Sequence, residues 1–302
     1  MKLVFLGTSA MVPTKERNVQ SIYIDYNGEG ILLDCGEGTQ RQITIAGLNA
    51  QKIKTILISH WHGDHVSGLV GLIQTLGNFA DEEKTIRLFG PVGTKKYLAN
   101  TLDSCEFETK LNLDVKEIDA EFLTSIFETN DYELQAINLD HSLPCLGYSF
   151  IKKERRKMNE SKLKALGLKM GPLVGKLQRG ESINHEGKTI KADEVSKLLD
   201  SHKISFIFDT RLTDSCFVLA KNADLLVSEA VYLDELKNKA EEYKHMTAKQ
   251  VAQVASESEA KELILTHFSQ RYKDVVVLEE EAKMLFDNVR CAFDFMKVEL
   301  DF

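Results

Sequence analysis

Short apolar segments recur along the chain, and many of them end at a polar residue. The first three, KLVFLG (2–7), SIYIDY (21–26) and GILLDCG (30–36), have the aliphatic and β-branched content of strands. Five later segments of the same kind each run directly into an ionisable residue. They are TILIS (55–59) before His60, ELQAINLD (133–140) before His141, SFIF (205–208) before Asp209, LLVS (225–228) before Glu229 and ELILT (262–266) before His267. The pattern predicts strands whose ends carry the chemistry.

Helical periodicity appears between these strands. Residues 65–79 place apolar side chains on one face, at Val66, Leu69, Val70, Leu72 and Ile73. In residues 247–260, Thr247 and Gln250 have the spacing of a capping box that starts a helix. Mixed strands and helices indicate an α/β fold. We expect two halves, with strands near 2–60 and 133–150 in one half and 205–267 in the other.

Composition narrows the class of protein. The chain has 302 residues, of which 43% are hydrophobic and 28% charged, as expected for a globular protein of one large domain or two small ones. No apolar run reaches the ~18–20 residues that span a bilayer, and the first residues are too weakly apolar for a secretory signal. The five cysteines are scattered and odd in number, which predicts buried thiols, a reducing compartment and a cytoplasmic protein without a membrane partner.

One segment departs from the charge of the rest. The net charge is −8, yet residues 152–179 contain ten Lys or Arg and only two Glu, so this segment carries +8 and the rest of the chain −16. Glycines and a proline punctuate the stretch, which predicts an arm of short helices and loops. A basic arm on an acidic body indicates a binding site for a polyanion, although a solvated basic helix without a ligand is the simpler alternative.

The strongest chemical signal is the sequence HWHGDH at 60–65. His60, His62, Asp64 and His65 offer imidazole and carboxylate ligands within six residues, which suits Zn²⁺, Mn²⁺ or Fe²⁺. His60 and His62 are two apart, so they meet best on a loop after the strand that ends at Ser59. Without thiolates, a closed structural zinc site is disfavoured, and an open site leaves room for the water that hydrolysis needs.

The polar residues at the later strand ends extend this cluster to two metals. His60, His62 and His141 form one predicted ligand set, and Asp64, His65 and His267 form the other, with Asp209 between them. Each of the later residues has an ordinary structural alternative when taken alone. Two metals ~3.5–4 Å apart can activate water and bind a phosphate oxygen during an in-line displacement.

At these residues the chain resembles the metallo-β-lactamase superfamily, and further motifs resemble the ribonuclease Z family within it. The motifs are LGTSA (6–10), PTKERN (13–18), DCGEGTQRQ (34–42), FDTR (208–211), SEA (228–230), HMTA (245–248) and THFSQRY (266–272), which cover nearly the whole chain. The resemblance implies one domain over 1–302 with the αββα sandwich fold. It also implies that the basic arm, inserted at about 152–200, is a protruding tRNA-binding element.

The resemblance further implies a reaction and its cofactors. The enzyme would remove the 3′ trailer of precursor tRNA after the discriminator nucleotide, leaving a 3′-hydroxyl on the tRNA and a 5′-phosphate on the trailer. Two Zn²⁺ per subunit, or Mn²⁺ or another divalent metal, would bind at the predicted ligands. Asp64 would orient the nucleophilic water as general base, while Glu229 and His245 would protonate the leaving oxygen. Asp34 would hold the ligands in place.

The same resemblance implies substrate-binding residues, and an arm that reaches away from the body also fits a homodimer. Lys15, Arg17 and Asn18 in PTKERN would contact the acceptor end. The tRNA elbow would be held by arm residues, namely Arg155, Arg156, Lys157, Lys162, Lys164, Gly171 and Pro172. In a homodimer, the arm of one subunit could present the substrate to the other.

Alternatives stay open at this point. A hydrolase of the same superfamily could act on small phosphodiesters, thioesters or lactams, although these substrates need no basic arm. A catalytically silent RNA-binding protein is disfavoured because every predicted ligand is present, and a DNA or messenger-RNA nuclease because no large inserted domain is visible. One departure from the family pattern is Met246, which stands where relatives commonly have serine and puts in doubt a role for a hydroxyl there.

Overall fold

The computed structural model describes residues 1–78 and 84–301. Its strands begin with β1 Lys2–Gly7, β2 Ser9–Ala10, β3 Ser21–Tyr26, β4 Glu29–Leu33, β5 Ile53–Leu57, β6 Lys84–Pro91, β7 Leu111–Ile118, β8 Thr124–Glu128, β9 Tyr132–Asp140 and β10 Pro144–Lys152. They continue with β11 Arg155–Met158, β12 Ile183–His185, β13 Lys188–Ile190, β14 Ser196–Leu199, β15 His202–Ile207, β16 Leu225–Glu229, β17 Leu263–Thr266, β18 Phe268–Ser269, β19 Val289–Cys291 and β20 Lys297–Glu299.

Helices fill most of the connections between strands. They are α1 Thr39–Ile45, α2 Gly63–Val66, α3 Leu69–Asn78, α4 Thr94–Asp103, α5 Glu160–Ala165, α6 Pro172–Gln178, α7 Ala192–Val195, α8 Asp214–Ala220, α9 Lys237–Glu242, α10 Ala248–Glu257 and α11 Val276–Lys283. Short 3₁₀ turns occur at Ala50–Lys52 and Asp234–Leu236. Thr247 and Gln250 form the predicted capping box at the start of α10.

Two seven-stranded sheets form the centre of the described structure. Their strand orders are β20-β1-β3-β4-β5-β6-β7 and β19-β17-β16-β15-β10-β9-β8. Alternate residues of β1 point to opposite faces: Leu3 and Phe5 belong to the apolar cluster between the sheets, and Val4 and Leu6 to the cluster outside the first sheet. Because both faces are covered, the strand reads as a continuous apolar run.

Helices cover the outer face of each sheet. Side chains of α1 and α3 join the outer cluster of the first sheet, and those of α8, α10 and α11 join the corresponding cluster of the second. The layers are therefore helix, sheet, sheet and helix, as predicted.

The predicted division into halves is wrong for residues 133–150. Strands β9 and β10 lie in the second sheet, where β10 pairs antiparallel with β15 and places Tyr148 opposite Phe206. The apolar pattern of residues 133–150 predicts strands, but it does not predict which strands they pair with. Only the packing of Tyr148 and Phe150 against the shared core between the sheets settles where they pair.

The helix predicted over 65–79 is divided, and residue 79 lies outside the described residues. Helix α2 ends at Val66 and α3 begins at Leu69. Between them, the Gly68 N–H donates to the Cys35 carbonyl at 2.9 Å, and a Cβ at position 68 would lie 2.2 Å from the Gly36 oxygen. This close approach of two backbone segments interrupts the helix and requires glycine.

The basic segment is an insertion between β10 and β15, which pair directly with each other. It contains more regular structure than the predicted helices and loops, because β11 pairs with β14 and β12 pairs with β13. An apolar cluster of its own includes Leu163, Val174 and Leu177. Most of its basic residues are exposed, but Lys152 is only 2% exposed and lies in β10.

The structure bears on two further predictions, the burial of the cysteine thiols and the lack of membrane-spanning segments. All five thiols are free, and Cys35, Cys145 and Cys216 are buried, but Cys105 is exposed, so the prediction of buried thiols is wrong there. Across residues 1–78 and 84–301, no helix has both the length and the apolar character needed to cross a lipid bilayer.

Candidate active site

Strand direction gathers the ionisable residues at one edge of the sandwich. β9 runs parallel to β15, β16 and β17, so their carboxyl ends deliver His141, Asp209, Glu229 and His267 to the same side. The first sheet delivers Asp34 and His60 after the parallel strands β4 and β5. The convergence is a direct consequence of parallel topology.

Two hydrogen bonds between the sheets fix the segment that precedes HWHGDH. The Leu146 N–H donates to the Ser59 carbonyl at 2.9 Å, and the Tyr148 hydroxyl donates to the Ile58 carbonyl at 2.7 Å. The segment between β5 and His60 is therefore hydrogen-bonded to the second sheet. After it the chain forms the predicted loop, but His62 then starts the one-turn helix α2, which contains Asp64 and His65.

Asp34 is fully buried and organises this segment through its carboxylate. Its Oδ1 accepts the Ser59 N–H at 2.8 Å. Its Oδ2 accepts the Ser59 hydroxyl at 2.8 Å and lies 2.7 Å from Nδ1 of His65. A carboxylate on Nδ1 orients the ring and leaves Nε2 free to act as a ligand. The structure thus gives Asp34 the contacts expected of a residue that holds ligands in place.

The first predicted ligand set comes together around His62. Its Nδ1 lies 2.9 Å from Nε2 of His60 and 3.2 Å from Nε2 of His141. Oδ2 of Asp209 lies 3.5 Å from Nε2 of His60. Candidate ligand atoms of these four residues all fall within 4.8 Å of one another.

The second predicted set converges in the same way. Nε2 of His267 lies 3.2 Å from Nε2 of His65 and 3.4 Å from Oδ2 of Asp64. Oδ1 of Asp209 lies 3.6 Å from Nε2 of His65 and 3.3 Å from Nδ1 of His267. Asp209 therefore faces the first set with one oxygen and the second with the other, the position predicted for a bridging carboxylate.

The charges and orphaned atoms of the cluster fit divalent cations. Burial lowers the pKa of His60 well below its usual value, which keeps the imidazole neutral and its lone pair available. Burial would raise the pKa of Asp64, but His65 and His267 lower it below its usual range, so the carboxylate stays ionised. Oδ1 of Asp209 and Nδ1 of His267 are buried without a hydrogen-bond partner. The neutral imidazole of His60 and the ionised carboxylate of Asp64 are donors of the kind that Zn²⁺ and Mn²⁺ bind.

Glu229 and His245 form a pair beside this cluster. Oε2 of the buried Glu229 lies 3.0 Å from Nδ1 of His245, and Oε1 accepts the Thr210 N–H at 2.7 Å. Burial would lower the pKa of His245, but the carboxylate raises it to about 9. His245 is therefore a proton donor near neutral pH. The side chain of the adjoining Met246 is buried in the outer cluster of the second sheet, so position 246 contributes packing there.

A cavity of about 610 Å³ opens over these groups. Its wall includes His62, Asp64, His141, Asp209 and His267, and also His245. Further lining residues come from the end of β2 and the residue after it, and from the end of α9 and the segment that follows; they are Ala10, Met11, Glu242, Tyr243 and Lys244. His60 and His65, the two remaining candidate ligands, are fully buried and are not lining residues.

The structure places the PTKERN residues beside the cavity rather than in its wall. Arg17 donates from Nη2 to the Tyr272 carbonyl at 2.8 Å, and the Asn18 amide donates from Nδ2 to the Glu37 carbonyl at 2.7 Å. Lys15 is exposed. In the described part of the chain, none of the three is a lining residue. The two bonds give Arg17 and Asn18 a role in holding the loop that the sequence did not reveal.

The arm residues lie on a separate surface from the ligand cluster. Arg155, Lys157, Lys162, Lys164, Gly171 and Pro172 are exposed, and Arg156 is partly buried beside Asp193. Nothing in the described structure brings them into the wall of the cavity.

Sequence reasoning missed several residues that position the predicted ones. The Met11 N–H donates to Oδ2 of Asp64 at 2.7 Å. The Lys244 carbonyl lies 3.1 Å from Nδ1 of His141, and Asp140 accepts bonds from Lys244 at 2.7 Å and Arg211 at 2.6 Å. The acidic residue directly before His141 was a possible signal for this network. Nothing in the sequence distinguished Met11.

Comparisons with known proteins agree over the whole chain. Ribonuclease Z of Streptococcus gordonii is 38% identical over 309 residues, covering 99% of this chain and all of the relative. Ribonuclease Z of Archaeoglobus fulgidus is 38% identical over 305 residues, covering this chain fully and 98% of the relative. A family model described as anti-Pycsar protein Apyc1 matches residues 1–156, so the first half of the chain also belongs to that family.

Solved structures give the same fold. The short form of human tRNase Z matches all of both chains with a TM-score of 0.74 at 27% identity. The Bacillus subtilis metallo-β-lactamase fold protein YhfI matches 98% of both chains with a TM-score of 0.70 at 17% identity, which supports the fold alone.

The buried contacts of Asp34 generate a prediction about metal binding. An Asp34→Asn protein places an amide N–H where a carboxylate oxygen now accepts bonds, so the orientation of His65 is lost. We expect the affinity for Zn²⁺ to fall about ten- to a hundredfold. Competition against a chromogenic chelator measures it, with the exposed Asp114→Asn as the matched control. Unchanged affinity in a folded Asp34→Asn protein contradicts the role.

Proposed function

This chain belongs to the ribonuclease Z family, and we propose that it is a metal-dependent endoribonuclease that matures the 3′ end of tRNA. In this proposal, the enzyme cuts the precursor after the discriminator nucleotide and leaves a 3′-hydroxyl on the tRNA and a 5′-phosphate on the trailer. The observation that carries it is the convergence of seven candidate ligands at one edge of the sandwich, five of which line a cavity together with His245, in a chain that matches its relatives over their full length.

We assign two Zn²⁺, or another divalent pair, to the two ligand sets. His60, His62 and His141 would hold one metal and Asp64, His65 and His267 the other, with Asp209 shared. Such a pair lowers the pKa of a water and neutralises charge on a phosphate. The converging nitrogens and the two-sided position of Asp209 support this assignment.

The residues around the cavity have distinct tasks in the reaction. Asp64 is ionised and lines the cavity, so it can accept a hydrogen bond from the attacking water and orient it toward phosphorus. On the leaving side, His245 carries a proton that can pass to the 3′-oxygen of the discriminator nucleotide as the P–O bond breaks. Glu229 orients the ring through Nδ1, which leaves Nε2 to donate.

The basic arm supports a tRNA substrate over a small diester. Its separate apolar cluster gives it a defined shape, and its exposed lysines form a surface for phosphates without reading sequence. An enzyme for small diesters needs neither. The small-diester alternative would use the same candidate ligands, HWHGDH included, and would leave the arm without a function. The homodimer, the cytoplasmic location and the role of the PTKERN loop stay predictions.

The reaction is tested with 5′-labelled precursor tRNA bearing a trailer. We expect cleavage directly after the discriminator, abolished by chelator and reduced at least about a hundredfold in Asp64→Ala, because the orienting carboxylate is lost. Asp114→Ala, on an exposed strand residue, is the control. Absence of RNA cleavage with retained hydrolysis of bis-p-nitrophenyl phosphate would assign the protein to the small-diester alternative.

The raised pKa of His245 predicts a pH effect. The Glu229 carboxylate favours the protonated ring, so Glu229→Gln lowers the pKa of His245 from about 9. A lower pKa means that the donor proton is lost at lower pH. The alkaline limb of kcat should therefore move to lower pH than in the wild type. Glu242→Gln, another cavity carboxylate, should leave the profile in place. Coincident profiles for the wild type and Glu229→Gln contradict the role of this pair.

The arm generates a prediction about salt dependence. Replacing Lys157, Lys164, Lys169 and Lys176 with glutamine removes four exposed charges, so precursor tRNA should bind more weakly and its log Kd should depend less steeply on log salt. The slope should fall by roughly 0.7–0.9 for each phosphate that a lysine no longer neutralises. Hydrolysis of bis-p-nitrophenyl phosphate should be retained. The matched control replaces four exposed lysines outside the arm, Lys54, Lys95, Lys96 and Lys110. Equal losses on RNA and small diester would show that the arm is not a remote binding surface.

A further inference from the structure

Met11 combines an exposed apolar side chain with a backbone bond to the reacting site. The side chain is 80% exposed and lines the cavity. The N–H of the same residue donates to Oδ2 of Asp64 at 2.7 Å. The Met11 backbone is therefore fixed beside the carboxylate predicted to orient the nucleophilic water, while its side chain faces the cavity.

The backbone at Met11 has an unfavourable conformation for such a side chain. Its φ of 61° lies in the left-handed region, where a residue with a Cβ is strained and glycine is not. Neighbouring bonds hold the turn: the Ser9 hydroxyl donates to the Val12 carbonyl at 2.7 Å, and the Val12 N–H donates to the Ala10 carbonyl at 2.6 Å. The bond from Met11 to Asp64 needs only the backbone, so it does not account for a methionine here.

The loop is also tied to the strand that follows His267. Ser9 and Ala10 in β2 pair in parallel with Phe268 and Ser269 in β18. The loop that carries Met11 therefore bonds Asp64 directly, whereas His245 lies in the segment before α10. Met11 is thus adjacent to the residue proposed to orient the attacking water.

We propose that Met11 is a binding contact for the nucleobase of the first trailer nucleotide; this rests on the proposed function. In an in-line displacement, the leaving 3′-oxygen of the discriminator is opposite the attacking water. The discriminator therefore lies toward His245. The bonds from phosphorus to its remaining oxygens, including the 5′-oxygen of the first trailer nucleotide, point away from the leaving oxygen and therefore toward Asp64. A polarisable, unbranched thioether packs on the face of any base, so it suits trailers of varied sequence.

A glycine substitution at position 11 tests the contribution of the Met11 side chain separately from that of its backbone N–H. Met11→Gly keeps the N–H bonded to Asp64 and tolerates the left-handed φ, while Met11→Leu keeps an apolar contact. The substrates are a precursor tRNA with an intact trailer, one abasic at the first trailer nucleotide, and one abasic at the second. Met284→Ala, which removes an exposed methionine from the end of α11, is the control.

The base and the side chain should depend on each other. We expect the wild type to lose about three- to tenfold in kcat/KM on the first abasic substrate, mainly through KM. Met11→Gly should show the same loss on the intact substrate and no further loss on the first abasic one. Met11→Leu should recover most of the kcat/KM that Met11→Gly loses on the intact substrate. The wild type on the second abasic substrate should have the same kcat/KM as on the intact precursor. Met284→Ala should have the wild-type kcat/KM on the intact precursor.

Three results overturn the inference. The first is a wild type that is indifferent to the missing base. The second is a Met11→Gly protein that loses kcat/KM equally on the intact, abasic and small-diester substrates. That result would mean that the substitution disturbs Asp64 and does not remove a contact with a base. The third is a wild type that does not cut precursor tRNA, which removes the proposed function first and the inference with it. Because the wild type is measured on the intact precursor, the last result is distinguishable from the other two.

Discussion

The site depends on one buried carboxylate, that of Asp34. It lies at the end of β4 with a φ of 57°, a left-handed conformation that turns the chain sharply and directs the carboxylate into the interior. There it bonds the backbone and side chain of Ser59 and the ring of His65. A single group therefore connects two strand ends and the helix α2, and a buried charge of this kind is stable only while all of these donors are present.

Charge balance extends the same constraint to the rest of the cluster. Burial would lower the pKa of His65, but Asp209, Asp34 and Asp64 raise it well above its usual value. Three carboxylates around one imidazole thus create a strong preference for positive charge at this point, which a proton or a divalent cation can satisfy. Metal binding and the stability of this edge should accordingly be linked, since a ligand that binds only the folded state stabilises it.

The sequence revealed the elements and the ligand types but not the backbone that presents them. The apolar segments with polar ends predict buried strands, and HWHGDH predicts imidazole and carboxylate ligands for a metal. Left-handed residues at Asp34, Asp209 and His267 are not visible, because the strain is imposed by tertiary packing. The sheet that contains β9 and β10, and the burial of Lys152, were missed for the same reason: apolar patterns specify burial but do not specify partners.

The distribution of charge explains why the arm is separate from the cavity. The body is acidic, and a polyanionic substrate approaching it is repelled except where cations are concentrated. Arm lysines can supply attraction over about a Debye length, ~8–10 Å at physiological salt, without altering the pKa values on which the cavity depends. A further unpaired lysine beside His245 would favour proton loss from its ring, and the one lysine in the described cavity wall, Lys244, is paired with Asp140. In the proposed function, charge on an inserted module would let one surface bind the tRNA, while in the cavity the Glu229 carboxylate raises the pKa of His245 against the effect of burial.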